Sequence, residues 1–235
     1  MKYSIVVPCY NEEENIPLLL ERFAREMGER NDVELILVNN GSTDGSGAVM
    51  DELLPLYPMV RRVTVAVNQG YGFGILSGLR AAEGAFLGWT HADLQTDPAD
   101  VLRALTVLEV AATPEKMLVK GNRKGRPLID RFFTFNMSLL ELLLTGRWLN
   151  DINAQPNMFS RDFFLSWKNP PYDFSLDLYA FYMAKKQGLE IRRFPVRFPE
   201  RIHGSSKWNT GLKAKWRFIK RTASYSFKLT KGGVD

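Results

Sequence analysis

The chain has 235 residues, 45% hydrophobic and 24% charged, with a formal net charge of +5. That length can bury one good core, and no apolar run reaches the roughly 20 residues of a membrane span; the longest, residues 139–144, is interrupted by Glu141. Cys9 is the only cysteine, which excludes an internal disulfide and fits a reducing compartment, while the basic excess points to an anionic partner without naming it.

Residues 1–7 lack the apolar segment and cleavage site of a signal peptide. Within them the β-branched run 3–7 stops at Pro8 and predicts a buried parallel strand. A helix is expected over about 13–27, with Ile16, Leu19, Leu20 and Phe23 on its inner face. Strand 33–38 leads into Asn39-Asn-Gly-Ser-Thr-Asp-Gly45, a loop of turn residues, followed by a helix over about 46–56 that Pro58 closes. A third strand over 62–67 and the glycine-rich stretch 68–75 precede a helix ending near Gly84. Residues 85–89 then read as a central buried strand, after which Asp97 and Pro98 open the next helix as N-cap and first helical residue. This alternation predicts an α/β protein with a doubly wound, mostly parallel sheet and flanking helices.

Beyond a helix at about 99–111, residues 117–120 read as a strand, 121–127 as a basic loop and 128–144 as a long helix. Residues 151–160 read as irregular, 172–186 as a helix around Asp177 and 190–196 as a late strand. One compact domain over residues 1–207 is expected, with a tail from 208 to 235. From Lys207 onward, basic residues alternate with Trp208, Trp216, Tyr225 and Phe227, against a single acid, Asp235. A basic helix with aromatics is a membrane-surface pattern; a packed terminal helix with solvated charges is the other reading. No nucleic-acid motif accompanies the patch, so nucleic acid is not expected as a partner.

In a parallel sheet, loops 8–12, 39–44 and 91–97 lie at one carboxyl edge and converge on one cleft. Asp93 and Gln95 are hard oxygen donors two residues apart and His91 adds a ring nitrogen, a set that can hold a divalent cation gripping phosphate. Gly70, Gly72 and Gly74 do not have dinucleotide-binding spacing and read as a tight turn.

Pro8-Cys-Tyr-Asn-Glu-Glu-Glu-Asn-Ile-Pro17, Val38-Asn-Asn-Gly-Ser-Thr-Asp-Gly45, Asn68-Gln-Gly-Tyr-Gly72 and Ala92-Asp-Leu-Gln-Thr-Asp-Pro98 together resemble family 2 glycosyltransferases of the GT-A nucleotide-diphospho-sugar transferase fold. The branch they most resemble is the dolichol-phosphate mannose synthase-like, or polyprenyl-phosphate sugar synthase, enzymes. The similarity runs on through Gly121-Asn-Arg123, Arg131, Asp151 and Arg201-x-x-Gly-x-Ser-Lys207. By that resemblance, Pro8, Tyr10, Glu12 and Asn40 would line a nucleoside pocket. Ala92, Asp93 and Gln95 would meet the diphosphate and a magnesium or manganese ion, with His91 as a further ligand. Arg201 and Lys207 would neutralise the leaving diphosphate, and Arg123, Arg131 and Ser206 would receive an acceptor phosphate.

The resemblance implies an inverting sugar transfer from a nucleoside-diphosphate sugar to a lipid-linked phosphate, peripherally at the inner face of a membrane. An attacking phosphate oxygen is already anionic and needs no strong base; a hydroxyl acceptor would need one, with Asp151 or Asp177 as candidates. Two departures from the family pattern stand out: Asn39-Asn40 replaces its Asp-Asp, and His91 replaces the first Asp of its Asp-x-Asp. Loss of a carboxylate weakens attraction for magnesium, whereas imidazole still suits manganese. A transferase with a soluble acceptor and a nucleotide-sugar-binding protein without turnover share the same residues.

Overall fold

The computed structural model describes residues 1–125, 128–199 and 212–230. It is built on one seven-stranded sheet. Strand β1 (Tyr3–Cys9) pairs in parallel with β2 (Val33–Asn40) on one side and β4 (Phe86–Trp89) on the other, and β3 (Val60–Val65) extends β2 to the edge. The spatial order is β3-β2-β1-β4-β6-β5-β7, where β5 is Met117–Lys124, β6 is Asn157–Ser160 and β7 is Glu190–Arg197.

The buried strands explain the two-faced core. Along β1, Ile5, Val7 and Cys9 point to one face and Val6 to the other, as a period of two requires. The first face packs on α1 (Asn15–Met27), α2 (Ser46–Leu53) and α4 (Pro98–Glu109) through Ile16, Phe23, Met50, Val101 and Leu105. The second packs on α3 (Tyr71–Ala81) and, past α5 (Leu128–Thr145), on α6 (Arg161–Leu165) and α7 (Leu176–Lys186). Its centre is a fully buried Trp89 edge-on to Phe159 and Trp167; emptying that site would cost about 3–5 kcal/mol. Helix α3 lies directly on the sheet because a side chain at Gly78 would collide with Val6 and Val38.

Three differences from the sequence expectations have physical causes. The basic loop expected at 121–127 is, to Lys124, a continuation of β5, because Gly121 and Arg123 find ladder partners in Phe194 and Val196 of β7. The irregular stretch 151–160 ends in β6, four buried residues inserted antiparallel between β4 and β5. Helix α7 starts at Leu176 rather than 172: Asp173 accepts from the Ser175 amide at 2.8 Å, and the Tyr172 carbonyl accepts from the Phe73 amide at 2.9 Å. Helix α8 (Leu212–Thr230) packs along α5, with Ser226 and Leu229 buried and the Ser226 hydroxyl donating to Glu141 at 2.7 Å.

Candidate active site

The register aligns the carboxyl ends of β1, β2 and β4: Cys9 stands beside Asn39, and Val6 beside Trp89. The chain then leaves the sheet in three loops that brace one another. Asn11, at a φ of 57°, accepts from the Thr43 amide at 2.9 Å and donates its own amide to the Ser42 hydroxyl at 3.1 Å. The Glu12 amide donates to the Ser46 hydroxyl at 2.9 Å, and the Glu13 carboxylate accepts from the Gly45 amide at 2.6 Å. In the third loop the Asp93 carboxylate accepts from the Gln95 amide at 3.1 Å, and Asp97 caps α4 by accepting from the Ala99 amide at 3.0 Å.

Between these loops opens a cleft of about 650 Å³. Pro8, Tyr10, Glu12, Asn40, His91, Ala92, Asp93 and Gln95, all expected from the sequence, line it together. Asn40 is nearly buried; its side-chain nitrogen donates to the Gly70 carbonyl at 3.1 Å, and its oxygen is buried without a partner. Gly74 makes room for that amide, since a Cβ there would press on it at 2.8 Å. The Gln95 amide nitrogen donates to the Pro199 carbonyl at 2.9 Å, tying the third loop to the chain beyond β7.

The wall opposite is aromatic. Tyr71 stacks on His91 with centroids 6.0 Å apart and on Phe174 at 4.5 Å and 8°. Burial, with Asp177 next, pushes the Tyr71 phenol well above its ordinary pKa, so it stays neutral. The Arg221 guanidinium of α8 sits over the Phe174 ring at 5.4 Å. Phe174 and Arg221 escaped sequence reading because packing, not local pattern, brings them here. Tyr71 carried a signal, its place in the Asn68-to-Gly72 stretch.

Other expected site residues lie elsewhere. Asp177 is buried beneath the cleft, where its carboxylate accepts from Gln155 at 2.7 Å and from the Trp89 indole and Asn157 at 3.3 Å. Lys120, buried on the same network, donates to Asn157 and to the Ala154 carbonyl at 2.7 Å; burial lowers its pKa to about 7, against the pull of Asp177. Asp151 and Arg123 form a buried ion pair outside the cleft lining, with Arg193 adjacent. Burial would raise the Asp151 carboxyl, but the Arg123 charge and hydrogen bonds outweigh it and hold it below its ordinary value. Arg131 is exposed on α5. Arg201, Ser206 and Lys207 lie outside the described residues.

No group of three or more His, Cys, Asp and Glu side chains able to hold a metal occurs among the described residues. The three expected metal ligands, His91, Asp93 and Gln95, all line the cleft, and magnesium and manganese commonly share their ligands with substrate phosphates.

A family model described as Glycosyl transferase family 2 matches residues 4–186. Undecaprenyl-phosphate 4-deoxy-4-formamido-L-arabinose transferase of Proteus mirabilis is 34% identical over 166 residues, 68% of this chain and 49% of that protein. Dolichyl-phosphate beta-glucosyltransferase of Trichomonas vaginalis is 26% identical over 225 residues, 89% of this chain and 69% of that one. The chain thus spans about half the length of several curated relatives it matches. The crystal structure of glucosyl-3-phosphoglycerate synthase from Mycobacterium tuberculosis with Mn2+, uridine diphosphate and glucosyl-3-phosphoglycerate superposes with a TM-score of 0.73 at 18% identity, covering 100% of this chain and 81% of that one.

Proposed function

This chain belongs to glycosyl transferase family 2 and has the GT-A fold, and from that premise we propose that it transfers a sugar, with inversion, from a nucleoside-diphosphate sugar to a polyprenyl- or dolichyl-phosphate type of lipid. The observation that carries this reading is the convergence of Pro8–Glu12, Asn40 and His91–Gln95 on one cleft at the carboxyl edge of the sheet. The relatives named for undecaprenyl-phosphate and dolichyl-phosphate transfer support this acceptor class.

In this reading the base sits by Pro8, Tyr10 and Asn40, a uridine donor being favoured by the amide of Asn40. The diphosphate lies over Ala92, Asp93 and Gln95. Asp93 and His91 would hold the divalent cation, which when bound neutralises charge developing on the departing diphosphate. Arg201 and Lys207, assigned by family resemblance, would add to that neutralisation.

Neither of the two carboxylates expected as a general base opens on the cleft. Asp151 is closed into its pair with Arg123, and Asp177 is buried under three donors, so neither is placed to take a proton from a hydroxyl in the cleft. A phosphate oxygen needs no such base. Arg131 would meet the acceptor phosphate, a role that family resemblance also gives Ser206, and Arg123 would act through the segment it anchors.

The lipid also suits the surface of α5. Leu128, Ile129, Phe132, Phe135, Leu139 and Leu143 are exposed along it, between 41% and 78%, and Arg131 stands among them. Lys220, Phe227 and Lys228 are exposed on the neighbouring α8. No described helix is long and apolar enough to cross a membrane, and an apolar stripe flanked by cations is the pattern of surface binding. These features support peripheral placement on a membrane.

Incubation with radiolabelled nucleotide sugars and vesicles carrying polyprenyl phosphate tests the whole. Lipid-extractable label is expected. Water-soluble label alone would mean a soluble acceptor, and bound donor without transfer would mean a binding protein.

A further inference from the structure

We propose that Arg221, on α8, binds a substrate phosphate in the cleft, so that the C-terminal helix completes the active site; this rests on the nucleotide-sugar reading above. Glu12, Glu13, Glu14, Asp44, Asp93 and Asp173 all contribute to the cleft wall, and among the described residues Arg221 is the one Lys or Arg that does. A diphosphate, which brings at least two negative charges, enters a site rich in carboxylates and needs a cation in the wall.

The side chain is built in rather than draped over the surface. Its guanidinium rests on Phe174, which lies face to face on Tyr71, which in turn stacks on His91. The platform therefore runs from α8 to His91, two residues before Asp93. Asp173 stands 3.6 Å from the guanidinium Nε, too far for a hydrogen bond, so its charge competes for the guanidinium without fixing it. Arginine can stay stacked on an aromatic face while its edge donates two parallel hydrogen bonds to phosphate, which lysine cannot do. The helix is itself held one turn further on, where Ser226 is buried against Glu141 and Leu229 enters the core. Thr222, next in sequence to Arg221, is buried as well.

The phosphate is either the donor's diphosphate or the acceptor's, and separate measurements distinguish them. The full chain is titrated calorimetrically with UDP, CDP and GDP, then with the nucleoside of whichever binds best, and the Michaelis constant for polyprenyl phosphate is measured. For Arg221→Gln, a charge-assisted hydrogen bond predicts about tenfold weaker diphosphate binding with nucleoside binding unchanged if the donor is held. If the acceptor is held, diphosphate binding stays as it was and the Michaelis constant for the lipid phosphate rises by a similar factor. Arg221→Lys should fall between wild type and Gln in either case.

Asp173→Asn is the second variant, since an amide oxygen still accepts from the Ser175 amide but no longer competes for Arg221. It should tighten phosphate binding, and it carries the test if Arg221→Gln does not fold. Unchanged constants in both arms, or nucleoside and diphosphate affinities falling in parallel, would overturn the inference. A wild-type chain that binds none of the nucleotides would instead sink the nucleotide-sugar reading beneath it.

Discussion

Arg123 meets the Asp151 carboxylate with three donors, its backbone amide at 2.8 Å, Nε at 2.8 Å and Nη2 at 2.5 Å. Both side chains are largely buried, at 13% and 8% exposure. Removing one partner of such a pair leaves an uncompensated buried charge, so Asp151→Ala should lose about 3–5 kcal/mol of stability. Asp151→Asn, which still accepts hydrogen bonds, should lose less. Because the folded carboxyl is held below its ordinary value of 3.8, its contribution is present above that pH and is lost as pH falls through the folded value. Urea unfolding at neutral and acid pH reads this. Turnover per folded molecule of Asp151→Asn should stay well inside the roughly hundredfold loss expected on removing a general base.

Asp93 should be the least replaceable residue of the cleft. It is the carboxylate of the His91-Ala-Asp-Leu-Gln95 loop, and its side chain is 5% exposed with the Gln95 amide donating to it. Asp93→Asn keeps that acceptor and removes the charge. Turnover should fall by about a hundredfold or more, with the circular dichroism spectrum and melting temperature close to wild type. Near-normal turnover would remove Asp93 from the diphosphate site.

The stripe on α5 should carry membrane attachment. Phe132 and Phe135 are 65% and 57% exposed, and immersing one such ring is worth about 1.5–3 kcal/mol. Replacing both with Asp should therefore reduce co-sedimentation with anionic vesicles by at least about tenfold. Raising salt should weaken the share owed to Lys220 and Lys228, since charges near the surface are screened. Sedimentation indifferent to both changes would assign the stripe to something other than lipid.

The three cleft loops were legible because each directly follows a buried strand, and strand order alone puts them on one edge. The start of α4 was legible for the same local reason: Asp97 caps it and Pro98 opens it. What escaped was non-local. Residues 121–124 look like a loop by composition and become strand only because β7, some seventy residues later, pairs with them. Asp177 reads as an available acid in any local pattern, and only the packing of Trp89, Gln155 and Asn157 around it puts it under the cleft. Phe174 and Arg221 come from a loop and a helix remote in sequence from the three cleft loops.

Glu141 makes the contact between α5 and α8 sensitive to pH. Burial pushes its carboxyl from 4.5 up to about 7, against the hydrogen bond from Ser226. Between those values the folded chain keeps a proton that the unfolded chain has released, so this group makes stability fall as pH rises through that window and level off above it. Glu141→Gln removes the titration while keeping an acceptor for Ser226. The variant should be more stable than wild type by about 1–3 kcal/mol near pH 8, with a flatter profile below. A variant less stable than wild type at every pH would show that the charged form is the one the helix pair favours.

Asn40 should make the protein prefer uridine over guanosine diphosphates. Its orientation is set by the Gly70 carbonyl, which requires the amide nitrogen on that side, so the buried oxygen without a partner is the group left to meet a ligand in the cleft. Uracil presents one N–H, at N3, between two carbonyl oxygens; Asn40 can accept from the first, and its second N–H suits O4. Guanine presents N1–H and N2–H₂ side by side. Asn40 can meet N1–H and the adjacent O6 as it meets uracil N3–H and O4, but it then leaves N2–H₂ without an acceptor, a loss of about 1–3 kcal/mol if buried. Calorimetric titration should therefore rank UDP well ahead of GDP, with CDP nearer to UDP, and tightest binding of GDP would defeat the argument. Asn40→Asp adds a second check. A carboxylate there accepts from both guanine donors, but it also faces the Gly70 carbonyl oxygen with no hydrogen to share. The variant should lose stability and shift its preference toward GDP, whereas an unchanged ranking would mean that backbone groups of the loop, not this side chain, read the base.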